Sequence, residues 1–256
     1  MAKIKTKEEI AILTEAGRRL AVILDTIGKE ARAGVAVQEL DRRAHELITA
    51  GHDAPSFLDY KPAGAKRPFP ASLCVSVNDA AVHGIPTESE YMLVDGDIVS
   101  LDAGLTHQGL IADMCITVPV GEVDARGMRL IDAARRARDA GVLVCRAGAH
   151  LGDIGAAIER SLAGTGFTVV EDLGGHGVGH KVHESPHVFH FGTRDTGPVL
   201  EEGMVITIEP TVSEGGTEIV LDPDGYTYRT KDHSRTAQFE HTIVITKDGH
   251  TVITKA

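Results

Sequence analysis

The chain has 256 residues, enough to bury a sizeable core in one large domain or two small ones. Its formal net charge of -11 argues against a nucleic-acid partner, because such binders concentrate Lys and Arg on one surface. The three scattered cysteines favour a reducing compartment over a disulfide framework. No signal-peptide core or membrane-length apolar run is present, so we expect a cytoplasmic protein without a membrane partner.

The first part of the chain predicts two helices and a long loop. Thr6 and Glu9 match the capping-box pattern, and the helix that they begin should end by Gly34. A second amphipathic helix is expected over about 37–50. Residues 52–71 are rich in Pro, Gly and basic side chains, which is typical of a loop.

The rest of the chain alternates between blocks of strands and helices. Short apolar runs predict strands over 73–77, 98–101 and 111–118. Two helices are expected over 125–147 and 151–163. Further strands are expected over 168–170, 204–208, 218–221, 226–230 and 237–246. No linker composition interrupts the series, so we expect one domain made of two similar α+β halves whose sheets meet.

Four carboxylates lie inside these strand-like runs or at their ends. They are Asp102, Asp113, Glu209 and Glu240. A carboxylate in a β-branched strand is costly to bury unless a cationic group meets it. Four of them close together would repel one another, and a pair of divalent metal ions is the natural counter-charge. Since each block of strands supplies two, the sequence predicts a metal site at the seam between the halves.

A glycine-rich segment over 174–186 is the strongest local motif. Its glycines let the imidazole of His176 approach a bound group closely, and His is a common metal ligand. A turn with incidental histidines is the alternative, and the carboxylate set makes it the weaker one. Residues 183–187 also match the H-E-x-x-H pattern of zinc proteases. That pattern needs a helix, which Pro186 and the preceding glycines disfavour.

The ligand types indicate which metals would suit the site. One imidazole with four carboxylates is an oxygen-rich set that fits Mn, Fe(II) or Co(II), whereas structural zinc prefers thiolates. His83 stands before Gly84 in a segment that is typical of a structured turn. We count it as a candidate site residue because the same chain carries the carboxylates and His176. His241 follows Glu240 on a strand, so its side chain should face away from the metals.

Together these motifs resemble the type I methionine aminopeptidases, which have the pita-bread fold. The matching segments are 76–78, 83–86, 97–102, 113, 175–179, 183–186, 208–210 and 238–243. They span most of the chain in the order found in the family. The resemblance implies an α+β fold of two pseudo-symmetric halves, with a central antiparallel sheet and helices on the outer face. It also implies a single catalytic domain over residues 1–256.

The resemblance further implies an enzyme that removes the N-terminal methionine from nascent proteins and peptides when the second residue is small. Asp113 and Glu240 would bridge two divalent metal ions, with Co, Mn or Fe(II) the expected metals. Asp102 would complete the shell of one metal. His176 and Glu209 would complete the shell of the other.

Catalytic and pocket residues follow from the same resemblance. His83 would contact the scissile amide, His183 its carbonyl oxygen, and Glu209 would carry the proton to the leaving amine. The pocket for the methionine side chain would consist of Phe69, Cys74, Val182 and Tyr226. Val182 and Tyr226 stand where larger aromatics are common in relatives, so the pocket is expected to differ in shape. The segment 61–68 also departs from the usual Tyr- and Gly-containing one.

The expected partners are the N-termini of nascent polypeptides, with transient ribosome contact, no nucleic acid, and a monomeric state. Met1 precedes the small Ala2, so the chain is itself expected to be a substrate. An Xaa-Pro dipeptidase of the same fold is one alternative. A non-catalytic binding protein is another, but such a protein should have lost metal ligands, and this chain keeps the full set.

Overall fold

The computed structural model describes residues 3–256. Met1 and Ala2, on which the expected self-processing depends, lie outside the described residues. Helix α1 spans Lys7–Glu30, and helix α2 spans Val37–Ala50. Thr6 Oγ1 accepts a hydrogen bond from the Glu9 N–H while the Glu9 carboxylate accepts one from the Thr6 N–H, so the predicted capping box is confirmed.

The first half continues with five strands. They are β1 (Ala54–Pro55), β2 (Cys74–Val77), β3 (Ala80–Val82), β4 (Ile98–His107) and β5 (Leu110–Pro119). An antiparallel sheet has the order β1-β4-β2, with β5 paired to β4. The apolar face of α1 packs on this sheet, burying Leu20 and Leu24 with Leu101 and Leu105. Strand β4 runs beyond the predicted 98–101, because buried side chains continue past Asp102.

The second half begins with helices α3 (Ala125–Leu143) and α4 (Leu151–Leu162). Asp124 caps α3 by accepting hydrogen bonds from the N–H groups of Arg126 and Gly127. The prediction that this helix continues to 147 was wrong. Cys145 and Ala147 carry the apolar pattern onward, but they pack into the core from an irregular segment that ends at Gly148, where φ is +86°.

Ten short strands complete the chain. They are β6 (Thr168–Val169), β7 (Gly174–Gly177), β8 (Glu184–Phe189), β9 (Val205–Ile208), β10 (Thr211–Ser213), β11 (Ile219–Leu221), β12 (Tyr228–Thr230), β13 (Thr236–Gln238), β14 (His241–Ile245) and β15 (His250–Val252). The largest sheet has the order β15-β14-β9-β7-β8. The predicted strand 237–246 is divided into β13 and β14. Residues 184–189 form a strand, which confirms that the H-E-x-x-H match is not on a helix.

Hydrogen bonds from several residues of β5 join this strand to the second half. Thr117 Oγ1 donates a hydrogen bond to the Gln238 carbonyl at 2.5 Å, and the Glu240 N–H donates to the Cys115 carbonyl at 2.9 Å. Thr242 Oγ1 donates to the Asp113 carbonyl at 2.6 Å. The two halves, each built on antiparallel sheets, therefore meet along β5, the strand that carries Asp113. This is the predicted seam. No helix within residues 3–256 is long and apolar enough to cross a membrane.

Candidate metal centre

The hairpin of β4 and β5 brings the two aspartates to one face of the first sheet. Asp102 pairs with Cys115, and Asp113 lies two positions from Cys115 on the same strand. Directly opposed residues share a face, and alternate residues along a strand return to it. Asp102 and Asp113 are therefore diagonal neighbours, as a shared site requires.

The two glutamates meet at the ends of β9 and β14. The register of these strands pairs His241 with Ile208. If this register continues by one residue, Glu209 stands opposite Glu240. Pro210 follows Glu209, and Phe239 precedes Glu240. Both glutamates therefore lie where regular strand pairing stops. His241 points away from the cluster, since its Nδ1 lies 2.9 Å from Thr254 Oγ1, which agrees with the prediction.

His176 completes the cluster from strand β7. Its Nε2 lies 3.5 Å from Glu209 Oε1 and 3.9 Å from Asp113 Oδ2. Its Nδ1 lies 2.9 Å from the Gly177 carbonyl, which can only accept, so Nδ1 carries the proton and Nε2 keeps its lone pair. Burial, followed by the neighbouring His183, lowers the pKa of His176 to about 3. The ring is thus neutral and presents a free nitrogen to the cluster, the form that binds a metal.

The four carboxylates are buried together with too few hydrogen-bond donors. Burial raises the pKa of Asp102 to about 7 and that of Glu209 to about 8. The pKa values of Asp113 and Glu240 are raised further, first by burial and then by the neighbouring carboxylates. Asp102 Oδ1, Asp113 Oδ1 and Glu240 Oε1 have no hydrogen-bond partner among residues 3–256. A group of buried, unpartnered carboxylate oxygens is the environment that a divalent cation stabilises.

Three of the five side chains converge tightly enough to hold an ion as they stand. Asp113, His176 and Glu240 each offer one ligand atom, and these atoms all lie within 4.8 Å of one another. Asp102 and Glu209 lie at the edges of this group, in hydrogen-bond or ion-pair range of its members. The structure therefore brings together all five residues that the sequence singled out. Their oxygen and imidazole atoms fit a divalent metal.

Glu209 is held by neighbours that sequence reasoning had not used. Thr207 Oγ1 donates a hydrogen bond to Glu209 Oε1 at 2.5 Å, and the Gln238 amide donates to Oε2 at 3.3 Å. The backbone N–H of Glu209 lies 3.3 Å from Nε2 of the fully buried His190. Burial lowers the pKa of His190 to about 3, so its neutral ring can accept that bond. No role was predicted for His190, because nothing in its local sequence pattern reveals a contact across the sheet.

The two other predicted histidines lie beside the cluster in the same cavity. His83 has a left-handed backbone, with φ at 58°, and burial lowers its pKa to about 4. The His183 ring stands edge-on to His176, with ring centroids 4.4 Å apart. Its Nδ1 lies 2.9 Å from the hydroxyl of Tyr60, a residue of the predicted loop that the sequence analysis missed.

The start of the chain fastens the segment that bears His183. Lys5 Nζ lies 2.6 Å from Glu184 Oε2, and the Lys5 side chain is only 1% exposed. Glu184 Oε1 accepts hydrogen bonds from the N–H groups of His180 and Lys181. Burial raises the pKa of Glu184, but Lys5 and these donors outweigh it, so the pKa lies below its usual value. The residue next to His183 is thus fixed at both oxygens.

An apolar pocket adjoins the cluster within a cavity of about 880 Å³. All four predicted pocket residues lie in one buried group with Phe57 and Ile85; they are Phe69, Cys74, Val182 and Tyr226. The Phe69 and Tyr226 rings stand edge-on with centroids 5.1 Å apart. The Tyr226 hydroxyl donates to the Arg67 carbonyl at 2.5 Å, so its polar end is satisfied outside the pocket. The wall facing the cavity is therefore apolar and aromatic.

Comparison with known proteins first identifies the class. Residues 11–247 match the model of Metallopeptidase family M24, and the chain therefore belongs to that family of metal-dependent peptidases. Methionine aminopeptidase from Aquifex aeolicus (strain VF5) is 37% identical, with 99% of this chain and 98% of the relative covered. The crystal structure of methionine aminopeptidase from Thermotoga maritima is 38% identical with a TM-score of 0.95, covering 100% of both chains. These relatives confirm the resemblance and the pita-bread fold predicted from the sequence.

A more distant structure separates fold from function. The prolidase from Pyrococcus furiosus has a TM-score of 0.74 and 24% identity, and this chain covers 65% of it. At that identity the likeness concerns the fold alone. Xaa-Pro dipeptidases thus share the framework, while the chain is similar over its full length to the methionine enzymes.

Proposed function

We propose that this chain is a dinuclear-metal aminopeptidase that removes N-terminal methionine when the second residue is small. The observation that carries the proposal is the joint presence of the five-residue cluster and the adjoining apolar pocket. A metal cluster alone, or an apolar pocket alone, would fit many kinds of protein. Full-length similarity to methionine aminopeptidases supports the same substrate.

Two divalent ions, with Co, Mn or Fe(II) the best candidates, would be held by the cluster. The family resemblance implies that Asp113 and Glu240 would be shared between them, and these two side chains are the most deeply buried of the four carboxylates. Asp102 would complete one shell, and His176 with Glu209 the other. When bound, such ions act as Lewis acids and lower the pKa of a coordinated water.

The chain's own residues would then position the substrate and move its proton. Glu209 is held in place at both oxygens, as a residue that passes a proton from water to the leaving amine must be. Burial raises the pKa of Tyr60, so its hydroxyl stays protonated and can donate to Nδ1 of His183. His183 would then carry its proton on Nε2 and donate it to the scissile carbonyl oxygen. His83, neutral in the same cavity, would contact the scissile amide.

The pocket would bind the methionine side chain by packing. Sulfur and aromatic edges suit a thioether, and Cys74, Phe69 and Tyr226 supply both. The smaller Val182 leaves more room on one side than a large aromatic would. We infer that residues 1–256 act as one catalytic domain, because α1 and the segment before it support the loop that carries His183.

The proposed setting follows from the substrate. Nascent polypeptide N-termini would be met in the cytoplasm by a monomeric enzyme in transient contact with the ribosome. The three cysteines are buried and free, in keeping with a reducing compartment. The excess of acidic side chains disfavours nucleic acid as a ligand.

Hydrolysis of Met-Ala-Ser by metal-stripped protein refilled with Co, Mn or Fe(II) tests the proposal. Methionine release should depend on metal and fall by about 100-fold or more in Glu209→Gln, as for loss of a proton-transfer group. Glu218→Gln is the matched control, because Glu218 is 76% exposed and pairs only with Lys231. Release should also be slower from Met-Leu-Ser. A folded protein that cleaves Ala-Pro but not Met-Ala-Ser would be a dipeptidase, and one that cleaves neither would be a binding protein.

A further inference from the structure

Strand β8 carries a row of aromatic side chains that leads away from His183. The His187 and Phe189 rings stand edge-on with centroids 4.4 Å apart, and those of Phe189 and Phe191 are 5.4 Å apart. The Phe189 residue is 51% exposed. We call His187, Phe189 and Phe191 the β8 aromatic row. Neither the metal cluster nor the methionine pocket uses it.

His187 and Phe189, the members of the row that lie within β8, are on the same sheet face as the metal cluster. The register of β7 and β8 pairs His176 with His187 and Gly174 with Phe189, and directly opposed residues share a face. Ser185 and His187 also line the cavity that contains the cluster. The face that presents His176 inside the cavity therefore continues outward through His187 to the exposed Phe189.

The glycine at 174 is what allows this arrangement. A Cβ there would lie 2.6 Å from both Cε1 and Nε2 of His187. The imidazole of His187 thus lies directly over the Gly174 backbone, in the space that a side chain at position 174 would need. Glycine at this position is explained by the placement of His187, a reason separate from the approach to a metal.

The chemistry of the row differs from that of the protein as a whole. Residues 185–191 contain no Asp, Glu, Lys or Arg, in a chain with a net charge of -11. Exposed aromatic side chains next to a cavity are typical of a binding surface, since their faces accept apolar groups. The outer position of β8 in its sheet leaves no further strand beyond the row.

We propose that the β8 aromatic row binds apolar side chains of the substrate polypeptide downstream of the scissile bond. The occupant is the substrate because the row is continuous with the cavity, and the newly exposed end of a polypeptide is unfolded and can lie extended along a strand. An extended chain rises by about 3.3 Å per residue, and residues 184–187 of β8 bulge against the single step of β7 from Gly177 to His176. The second and fourth residues beyond the bond at His183 would therefore reach His187 and Phe189. This inference rests on the proposed function and extends it to substrate selection.

Two octapeptides test the row. Met-Ala-Leu-Ser-Leu-Ser-Ser-Ser places apolar side chains at the second and fourth positions beyond the bond, and Met-Ala-Asn-Ser-Asn-Ser-Ser-Ser places amides there. We expect kcat/KM to favour the leucine peptide by about fivefold, in line with partial burial of two apolar side chains. In Phe189→Ser that ratio should fall to about twofold, because the contact at His187 remains. Leu143→Ser is the control, because Leu143 is 78% exposed on α3, away from the cavity, and should keep the wild-type ratio.

The outcomes separate the two proposals. Met-Ala-Ser brings no apolar side chain to the row, so failure to cleave it would refute the aminopeptidase itself. Cleavage of Met-Ala-Ser with equal kcat/KM on the two octapeptides would refute only the row. An undiminished fivefold preference in Phe189→Ser would refute the row as well. Phe189→Leu keeps an apolar side chain and should retain more of the preference than Phe189→Ser, which guards against a folding defect in the serine variant.

Discussion

The metal cluster and the methionine pocket lie side by side but are built in different ways. The cluster takes its aspartates from the regular hairpin of β4 and β5, where hydrogen-bonded register sets their separation. The pocket takes only Cys74 from a regular strand, β2; Phe69 comes from the loop between β1 and β2, and Val182 and Tyr226 come from irregular segments held by packing. Residues in a hydrogen-bonded register can shift only by whole positions, whereas packed side chains can shift by small distances. Changes in the cluster should therefore act in an all-or-none manner, and changes in the pocket should act gradually.

The two regions also differ in their contribution to stability. Three carboxylate oxygens of the cluster are buried without a partner, which costs stability until a cation binds. The pocket buries apolar side chains and satisfies the Tyr226 hydroxyl, so it stabilises the fold by itself. The cluster is stabilised by its ligand, while the pocket is formed in advance.

The largest effect is expected from Asp113→Asn. Activity should fall by about 1000-fold or more, because the central carboxylate of the metal site is lost. Without metal, the variant should be more stable than the wild type by about 1–3 kcal/mol near neutral pH, because the raised pKa of Asp113 forces this carboxyl to take up a proton on folding and an amide need not. Hydrolysis of Met-Ala-Ser measures the loss of activity. Thermal unfolding with and without added Mn measures the change in stability, and the rise in Tm that metal causes in the wild type should disappear in the variant.

Asp97→Asn is the matched control for that experiment. Asp97 is equally buried, but it accepts hydrogen bonds from Asn78, Tyr91 and the Val94 N–H. Its replacement should destabilise the protein and leave the metal-induced rise in Tm intact. If both variants behaved alike, the contrast between unpartnered and partnered carboxylates would be wrong.

A smaller effect is expected from Tyr60→Phe, which removes the hydroxyl near Nδ1 of His183. We expect kcat to fall by about tenfold with little change in KM, because His183 would lose its fixed tautomer and orientation. Tyr91→Phe removes a hydroxyl bound to Asp97, away from the cavity, and should leave kcat unchanged. A rise in KM alone would mean that Tyr60 acts only as a wall of the pocket.

Val182→Ala tests the graded response of the pocket. The unfolding free energy should fall by about 2 kcal/mol, as for loss of two buried methyl groups. Release of methionine should slow by about threefold. The preference for an N-terminal methionine over norleucine should become smaller, because the shorter side chain leaves a gap in the pocket wall. Val244→Ala removes the same groups from another buried cluster and should cost similar stability with no change in preference.

The smallest effect concerns His241, which adjoins Glu240 but faces away from both regions. Burial, followed by Arg138 and Lys255, lowers the pKa of His241 to about 3. Below its unfolded value of about 6.5, the unfolded chain binds a proton that the folded chain refuses, so stability is lost as the pH falls. In His241→Asn, this loss should be smaller by up to about 1.4 kcal/mol per pH unit below pH 6. Urea unfolding between pH 5 and pH 8 measures it, and parallel curves would contradict the assignment.

The parts of the site that sequence reasoning found are those whose local pattern is informative. Asp102 and Asp113 stand out because charged residues interrupt apolar strands. Strands β7 and β8 were missed, because glycines, histidines and a proline do not alternate apolar and polar side chains. Tyr60 and His190 were missed for another reason. Their contacts with His183 and Glu209 cross from one segment to another and leave no mark on the neighbouring sequence.

The ion pair of Lys5 and Glu184 joins positions 179 residues apart. Contacts of such long range form late in folding, because the chain between them must first be ordered. Glu240 is the last of the five cluster residues to be added during translation. Until then, the other four candidate metal ligands are present without Glu240. A chain halted before Glu240 would therefore lack the complete metal site. An enzyme that would act on the earliest part of other polypeptides becomes competent only after nearly all of its own has been made.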